Sequence, residues 1–267
     1  MQFTCDRQAL YQAVTYVSKG VAQKSTIPAL EGIRMQLRPG QLQLTGYDLE
    51  FGIQTNLPVD THDTGEFVIH ARLFSEALRR FSGNTVLLEI DSRLAVTMHC
   101  EATEFHISAM SAEDYPSLPE LEMEDGLTLE QGTLRSMIHQ TSYATSLNEN
   151  KPVFTGELFE TIGDELRVVA IDGYRLAIRT EKIATKVPYH FVVPKRTLLE
   201  VASMLKCKTI NAMLTITIAH SFAFICLSKR TIIPPCYSLI IYQLIGHIIL
   251  FCFILMYQYI LALHTLW

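Results

Sequence analysis

The sequence predicts an α+β fold made of two copies of one unit, each with two helices packed on antiparallel sheet. Three observations lead there: a self-match at constant offset, apolar residues at helical spacing in both copies, and alternating strand patterns joined by turn residues. Sliding the chain by 124 positions sets Leu10 on Leu134, Val14 on Ile138, Ser18 on Ser142 and Gly32 on Gly156. The register then holds through Leu42 on Leu166, Leu44 on Val168, Asp48 on Asp172, Phe67-Val68-Ile69 on Phe191-Val192-Val193, Arg72 on Arg196, Phe74 on Leu198 and Glu76 on Glu200. A fixed register over that distance is the mark of a duplicated domain.

The elements follow in the same order in both copies. A helix opens each: Arg7–Ser18 places Leu10, Ala13, Val14 and Val17 on one face, and Gly132–Ser142 places Leu134, Met137, Ile138 and Thr141. Two alternating strands come next. Gly32–Leu37 turns through Arg38-Pro39-Gly40 into Gln41–Thr45, and Gly156–Thr161 turns through Ile162-Gly163-Asp164-Glu165 into Leu166–Ile171. A further strand (Phe51–Leu57 or Leu176–Thr180) precedes Glu66–Ile69 or Tyr189–Val193, and a second helix follows at Ala71–Phe81 or Lys195–Leu205. The first copy closes with strands at Val86–Ile90, Leu94–His99 and Glu104–Met110. Ser111–Gly126, with Pro116, Pro119 and a run of carboxylates, reads as a linker whose acidic part is 119–126. The first domain is therefore 1–118 and the second 127–227.

Composition divides the chain differently. Of 22 basic residues in 267, only Lys208, Lys229 and Arg230 lie beyond position 206, and no acidic residue does. The remaining 19 basic side chains (22 less these three) meet all 27 acidic ones before that point, a net −8. This profile excludes a disordered chain, a collagen-like repeat and a basic nucleic-acid tail. The six cysteines (Cys5, Cys100, Cys207, Cys226, Cys236, Cys252) form no C-x-x-C pair, so neither a disulfide framework nor a zinc site is indicated. The amino terminus carries no secretory signal, and a cytoplasmic location is expected. No phosphate loop, G-x-G-x-x-G or G-x-S-x-G occurs and the histidines lack ligand spacing, so no catalytic residue, metal site or cofactor is proposed.

The most distinctive string is Leu166-Arg167-Val168-Val169-Ala170-Ile171-Asp172-Gly173-Tyr174-Arg175-Leu176-Ala177. Together with Leu42-Gln43-Leu44-Thr45-Gly46-Tyr47-Asp48-Leu49-Glu50, the Ser111–Pro116 region and Phe191-Val192-Val193-Pro194, it resembles the bacterial replicative sliding clamp, the beta subunit of DNA polymerase III. The resemblance runs from Met1 to about Lys206. It implies repeated clamp domains, the first two of a usual three. In the family, two chains form a homodimeric ring around double-stranded DNA, without catalytic activity, and tether the polymerase III alpha subunit, the clamp loader and other clamp-binding proteins.

A ring that slides gains from phosphate attraction and loses from base readout, because phosphates carry no sequence. The candidate DNA-facing cations are Lys24, Arg72, Arg79, Arg80, Arg135 and Arg196, with Arg7 also on a helix. Arg72 and Arg196 occupy equivalent repeat positions. By resemblance, a partner-peptide pocket comprises Phe154, Ile171, Gly173, Tyr174, Arg175 and Leu176. The first copy shares its Asp48 turn but continues as Leu49-Glu50-Phe51-Gly52. The matching subunit-interface strand is Thr103–Ser108, with Phe105 and Ile107 on one face.

Beyond Lys206 the text changes character. Residues 211–226 alternate well enough to supply the second domain's last hairpin, and 228–267 is an apolar tail. Leu239–Leu261 is long enough to span a bilayer with Lys229-Arg230 on the cytoplasmic side. The preferred account is a frameshifted or truncated clamp sequence, which lacks the third domain and neither closes a ring nor confers processivity. The alternative is a membrane-anchored interaction module derived from a clamp.

Overall fold

The computed structural model describes residues 1–118, 127–148, 150–183 and 190–205, and the backbone of three further strands within 212–244. The chain divides into two compact units, one built on residues 1–121 and the other on residues 122–224.

In the first unit, β1 (Gln2–Asp6) runs directly into α1 (Arg7–Val17), whose start is capped by Asp6: its Oδ1 accepts from the Ala9 N–H at 2.7 Å. Four strands follow, β2 (Gly32–Arg38), β3 (Gln41–Tyr47), β4 (Phe51–Pro58) and β5 (Gly65–His70), ordered β5-β2-β3-β4. Then come α2 (Ala71–Arg80), β6 (Thr85–Ile90), β7 (Ala95–Cys100) and β8 (Thr103–Ser108), with β1-β6-β7-β8 forming a second sheet. The core lies between helices and sheets. Leu10, Val14 and Val17 from α1 and Phe74 and Leu78 from α2 are buried with Phe3, Ile33, Met35, Leu44 and Leu88. Fully burying each such side chain is worth roughly 1.5–3 kcal/mol. Helix α1 sits so close to β3 that a Cβ on Gly46 would lie 2.3 Å from the Val17 carbonyl oxygen. Only glycine fits there.

The second unit repeats this plan. It contains β9 (Leu127–Glu130), α3 (Gln131–Thr141), β10 (Gly156–Ile162), β11 (Glu165–Ile171), β12 (Leu176–Lys182), β13 (His190–Pro194) and α4 (Lys195–Met204). Its sheet order β12-β11-β10-β13 matches β4-β3-β2-β5. Both helices and the first two strands of this sheet stand 124 residues after their counterparts, end for end. The offset breaks only after α4. Asp6 pairs with Thr85, whereas Glu130 pairs with Met213 of β14 (Ala212–Ala219) instead of residue 209, so the second copy has four more residues between helix and strand. β15 (Phe222–Lys229) and β16 (Leu239–Leu244) complete the described strands.

The linker reading is corrected at its start. Ser111–Leu118 is not a spacer: Ala112 and Tyr115 are buried in one cluster with Ala29, Leu30 and Val68. Met110 forms a two-bond bridge with Val68, the Tyr115 hydroxyl donates to the Thr45 carbonyl at 3.2 Å, and the Arg34 guanidinium lies 5.9 Å from the Tyr115 ring centroid. Its acidic part, 119–126, lies outside the described residues.

The membrane-span expectation also changes. Leu239–Leu244, the first six residues of the expected span, form strand β16 instead of helix. Among the described residues no helix is long and apolar enough to cross a membrane. Residues 245–261 lie outside the described set, as do 230–238 and 262–267.

Candidate functional site

The expected pocket residues are assembled by one hairpin and one neighbouring turn of the second unit. β11 ends at Ile171, which is paired with Leu176 at the start of β12. Between them the chain reverses on Asp172. Its Oδ1 accepts from the N–H groups of Tyr174 (2.8 Å) and Arg175 (2.7 Å), and its own N–H donates to the Arg175 carbonyl at 3.2 Å. The Arg175 guanidinium closes back on Oδ2 at 2.8 Å. These donors, the Tyr174 and Arg175 backbone amides first and the guanidinium next, hold the Asp172 carboxyl below the usual carboxylate range.

Gly173 takes a φ of +93° with open space where a Cβ would stand. The turn therefore lifts Tyr174 into solvent, where it is 98 % exposed, and leaves Leu176 and Ile178 partly uncovered. Beneath it, Ile171 is buried with Val153, Leu158, Val169 and Val192, and Phe154 packs against that cluster from the Pro152–Thr155 turn. The Lys151 ammonium lies 5.7 Å from the Phe154 ring centroid. An apolar floor, an exposed aromatic and an arginine thus meet at one end of the β10–β12 sheet. Such a surface suits an extended peptide with apolar side chains and a polar or acidic group.

The first unit builds the same turn from different side chains. Asp48 accepts from the N–H groups of Glu50 (3.1 Å) and Phe51 (2.7 Å), and Leu49 takes a φ of 78° where Gly173 takes +93°. Phe51 is buried where Arg175 is exposed. The backbone is conserved between copies and the chemistry is not.

The expected cations fall on helices and one loop. Arg72, Arg79 and Arg80 are exposed on α2, Lys24 is exposed in the loop after α1, Arg196 is exposed on α4, and Arg135 is half-buried on α3. In each unit the two helices pack together. In the first, a cleft of about 670 Å³ runs between α1, the following loop and α2, with Tyr11, Gln23, Arg72 and Arg79 among its walls. Arg72 Nε shares its charge with Glu76 Oε1 at 3.1 Å, one helical turn on. Arg7 is held by backbone acceptors. Its Nε donates to the Gly83 carbonyl at 2.7 Å and its terminal nitrogen reaches the Leu78 carbonyl at 3.5 Å, so its guanidinium is engaged within the unit.

Phe105 and Ile107 stand half-buried on one face of β8, and Phe105 meets the Phe81 ring edge-on at 5.4 Å. β8 is the last strand of its sheet.

One residue escaped sequence reasoning. Glu157 on β10 is fully buried, 0 % exposed, and touches the Thr141 hydroxyl. The signal that finds it is the duplication, because the position 124 residues earlier is Ile33.

Comparison with known proteins bears on both units. The family model for the N-terminal domain of the DNA polymerase III beta subunit matches residues 1–119, and that for its central domain matches 128–232. The second match extends past the change in composition at Lys206. The Beta sliding clamp of Bacillus subtilis (strain 168) is 30 % identical over 215 residues, covering 77 % of this chain and 57 % of the relative. The Beta sliding clamp of Escherichia coli (strain K12) is 31 % identical over 208 residues, with the same coverage. The chain thus spans a little over half the length of these curated relatives. A crystal structure of the DNA polymerase sliding clamp from Bacillus subtilis superposes with a TM-score of 0.83 at 25 % identity, over 92 % of this chain and 64 % of that one.

Proposed function

Since the chain belongs to the DNA polymerase III beta subunit family, we propose that its two units serve as part of a processivity clamp. In this reading the assembled clamp encircles duplex DNA and carries no catalytic activity. It tethers the polymerase III alpha subunit, the clamp loader and other proteins bearing clamp-binding peptides, in the cytoplasm. The observation that supports the reading best is the duplication itself, with paired helices in each unit and an exposed arginine at the same place on α2 and α4 (Arg72, Arg196). Exposed cations on helices attract phosphates without reading bases, as sliding demands. A body with net charge −8 before residue 207 keeps other surfaces from binding DNA indiscriminately.

The pocket at the Asp172 turn is the proposed peptide site. Phe154 and Ile171 supply its floor, Gly173 its close approach, Tyr174 and Leu176 its exposed contact, and Arg175 its polar grip. Strand β8, with Phe105 and Ile107, is the proposed edge for a second subunit. Fluorescence anisotropy of a labelled clamp-binding peptide from an alpha subunit tests the reading. Arg175→Ala and Phe154→Ala are each expected to weaken binding about tenfold, the scale of a single interface anchor. Unaltered binding in both variants would remove the pocket from the proposal.

A further inference from the structure

We propose that Glu157 is carried in the folded second unit as a neutral carboxylic acid, and that its ionisation loosens the packing of α3 on β10: a pH-sensitive latch absent from the first unit. The hydrogen-bond geometry calls for the proton. Thr141 Oγ1 lies within hydrogen-bond distance of two acceptors, Glu157 Oε2 at 2.5 Å and the Met137 carbonyl at 2.9 Å. A threonine hydroxyl has one proton to give. One hydroxyl proton cannot serve both: a proton on Glu157 lets Oγ1 accept there while donating to Met137, whereas an ionised Glu157 competes with Met137 for it. If Glu157 ionises, the hydroxyl must turn toward it and abandon the backbone.

The surroundings disfavour a charge. Glu157 and Thr141 are both fully buried, and Glu157 Oε1 has no hydrogen-bond partner among the described residues. A buried carboxylate with one oxygen unsatisfied is far costlier than the neutral acid. Across the ladder β13 offers Val193, and β11 offers the apolar run Val168–Ile171. From α4, Lys195 exerts an electrostatic pull, while α3 carries Arg135 and His139 and α4 also the exposed Arg196. Glu160 is occupied with Arg167 and His190, Arg175 with Asp172, and Arg179 with Glu181. Burial outweighs the Thr141 hydrogen bond and Lys195, and pushes the carboxyl up to about 7 from 4.5. In the first unit the same two positions are Ile33 and Val17, both fully buried, so that pair has nothing to titrate.

The linkage has a definite sign. The folded value is the higher one, so opening the second unit releases a proton between pH 4.5 and about 7. The stabilisation is complete below that window, and the opening constant rises by up to about tenfold per pH unit within it. Above it the contribution is gone.

Hydrogen–deuterium exchange on the full chain, corrected for intrinsic rates, compares α3 and β10 with α1 and β2 between pH 5 and 7. In the unmodified protein, protection of α3 and β10 is expected to fall relative to α1 and β2 by several-fold to tenfold per unit. Glu157→Gln, which keeps the shape of the neutral acid, and the double variant Glu157→Ile/Thr141→Val, which installs the first unit's residues, are both expected to abolish that difference. If the double variant does not fold, the Gln variant decides alone. Equal pH slopes for the two units in the unmodified protein, or a slope unchanged by Glu157→Gln, overturns the proposal.

Discussion

The two units are close to an internal control for each other. Helices and strands recur at the same offset, yet the first unit closes its apolar surfaces with its own chain, whereas the second keeps a buried acid and an exposed arginine at matching places. Tyr115 fills the cluster around Leu30 and Val68, Phe51 is buried at the turn, and Ile33 and Val17 complete the helix–sheet contact. The second unit has Arg175, Glu157 and Thr141 at the last three of those positions. The difference teaches that one backbone plan can be tuned for packing or for polar chemistry by a few side chains.

The sharpest way to break the comparison is Tyr115→Ala. Removing a buried ring together with its hydroxyl bond to Thr45 should destabilise the first unit by about 3–5 kcal/mol and leave the second unchanged. Domain-resolved hydrogen exchange separates the two; equal loss in both would show that the segment does not belong to the first unit's core. A smaller effect is expected from Leu49→Gly. A leucine held at positive φ is strained by about 1 kcal/mol, so glycine there should stabilise the first unit or leave it even, after its greater unfolded-state entropy is counted. Thermal unfolding checks this, and a clear loss would mean that the partly exposed Leu49 side chain packs usefully. The smallest stability effect belongs to Arg72→Ala. Its exposed pair with Glu76 is worth under about 0.5 kcal/mol, yet DNA affinity should fall and the slope of log affinity against log salt should shrink by about one. An unchanged slope would place Arg72 away from the phosphates.

Much of this architecture is legible in the linear text because it rests on local periodicity. Leu10, Val14 and Val17 mark α1, Leu134, Met137 and Ile138 mark α3, and the Asp48 and Asp172 turns were visible from their matching positions. What was not legible depends on partners far along the chain. Tyr115 sits among prolines and carboxylates, the pattern of a spacer, and its burial depends on Leu30 and Thr45, 70 or more residues away. Arg7 and Arg72 look alike on their helices, but Gly83 and Leu78 engage one and not the other. Glu157 lies in a strand whose neighbours are mostly apolar, and only alignment with Ile33 betrays it. Composition located a boundary at Lys206, but the family match continues to 232 because strand-forming residues persist there after the acidic ones stop.

The tie made by Arg7 carries a last consequence. A cation at the first position of a helix opposes the positive end of its macrodipole, and at the start of α1 only the capping Asp6 carboxylate stands against it. The guanidinium leans instead onto the Gly83 carbonyl in the loop after α2, and reaches the Leu78 carbonyl in the last turn of α2, where the dipole is negative. An unfavourable placement for one helix thereby ties its start to the segment that ends the other. Fraying of either segment would loosen the same guanidinium, so the start of α1 and the end of α2 share one anchor.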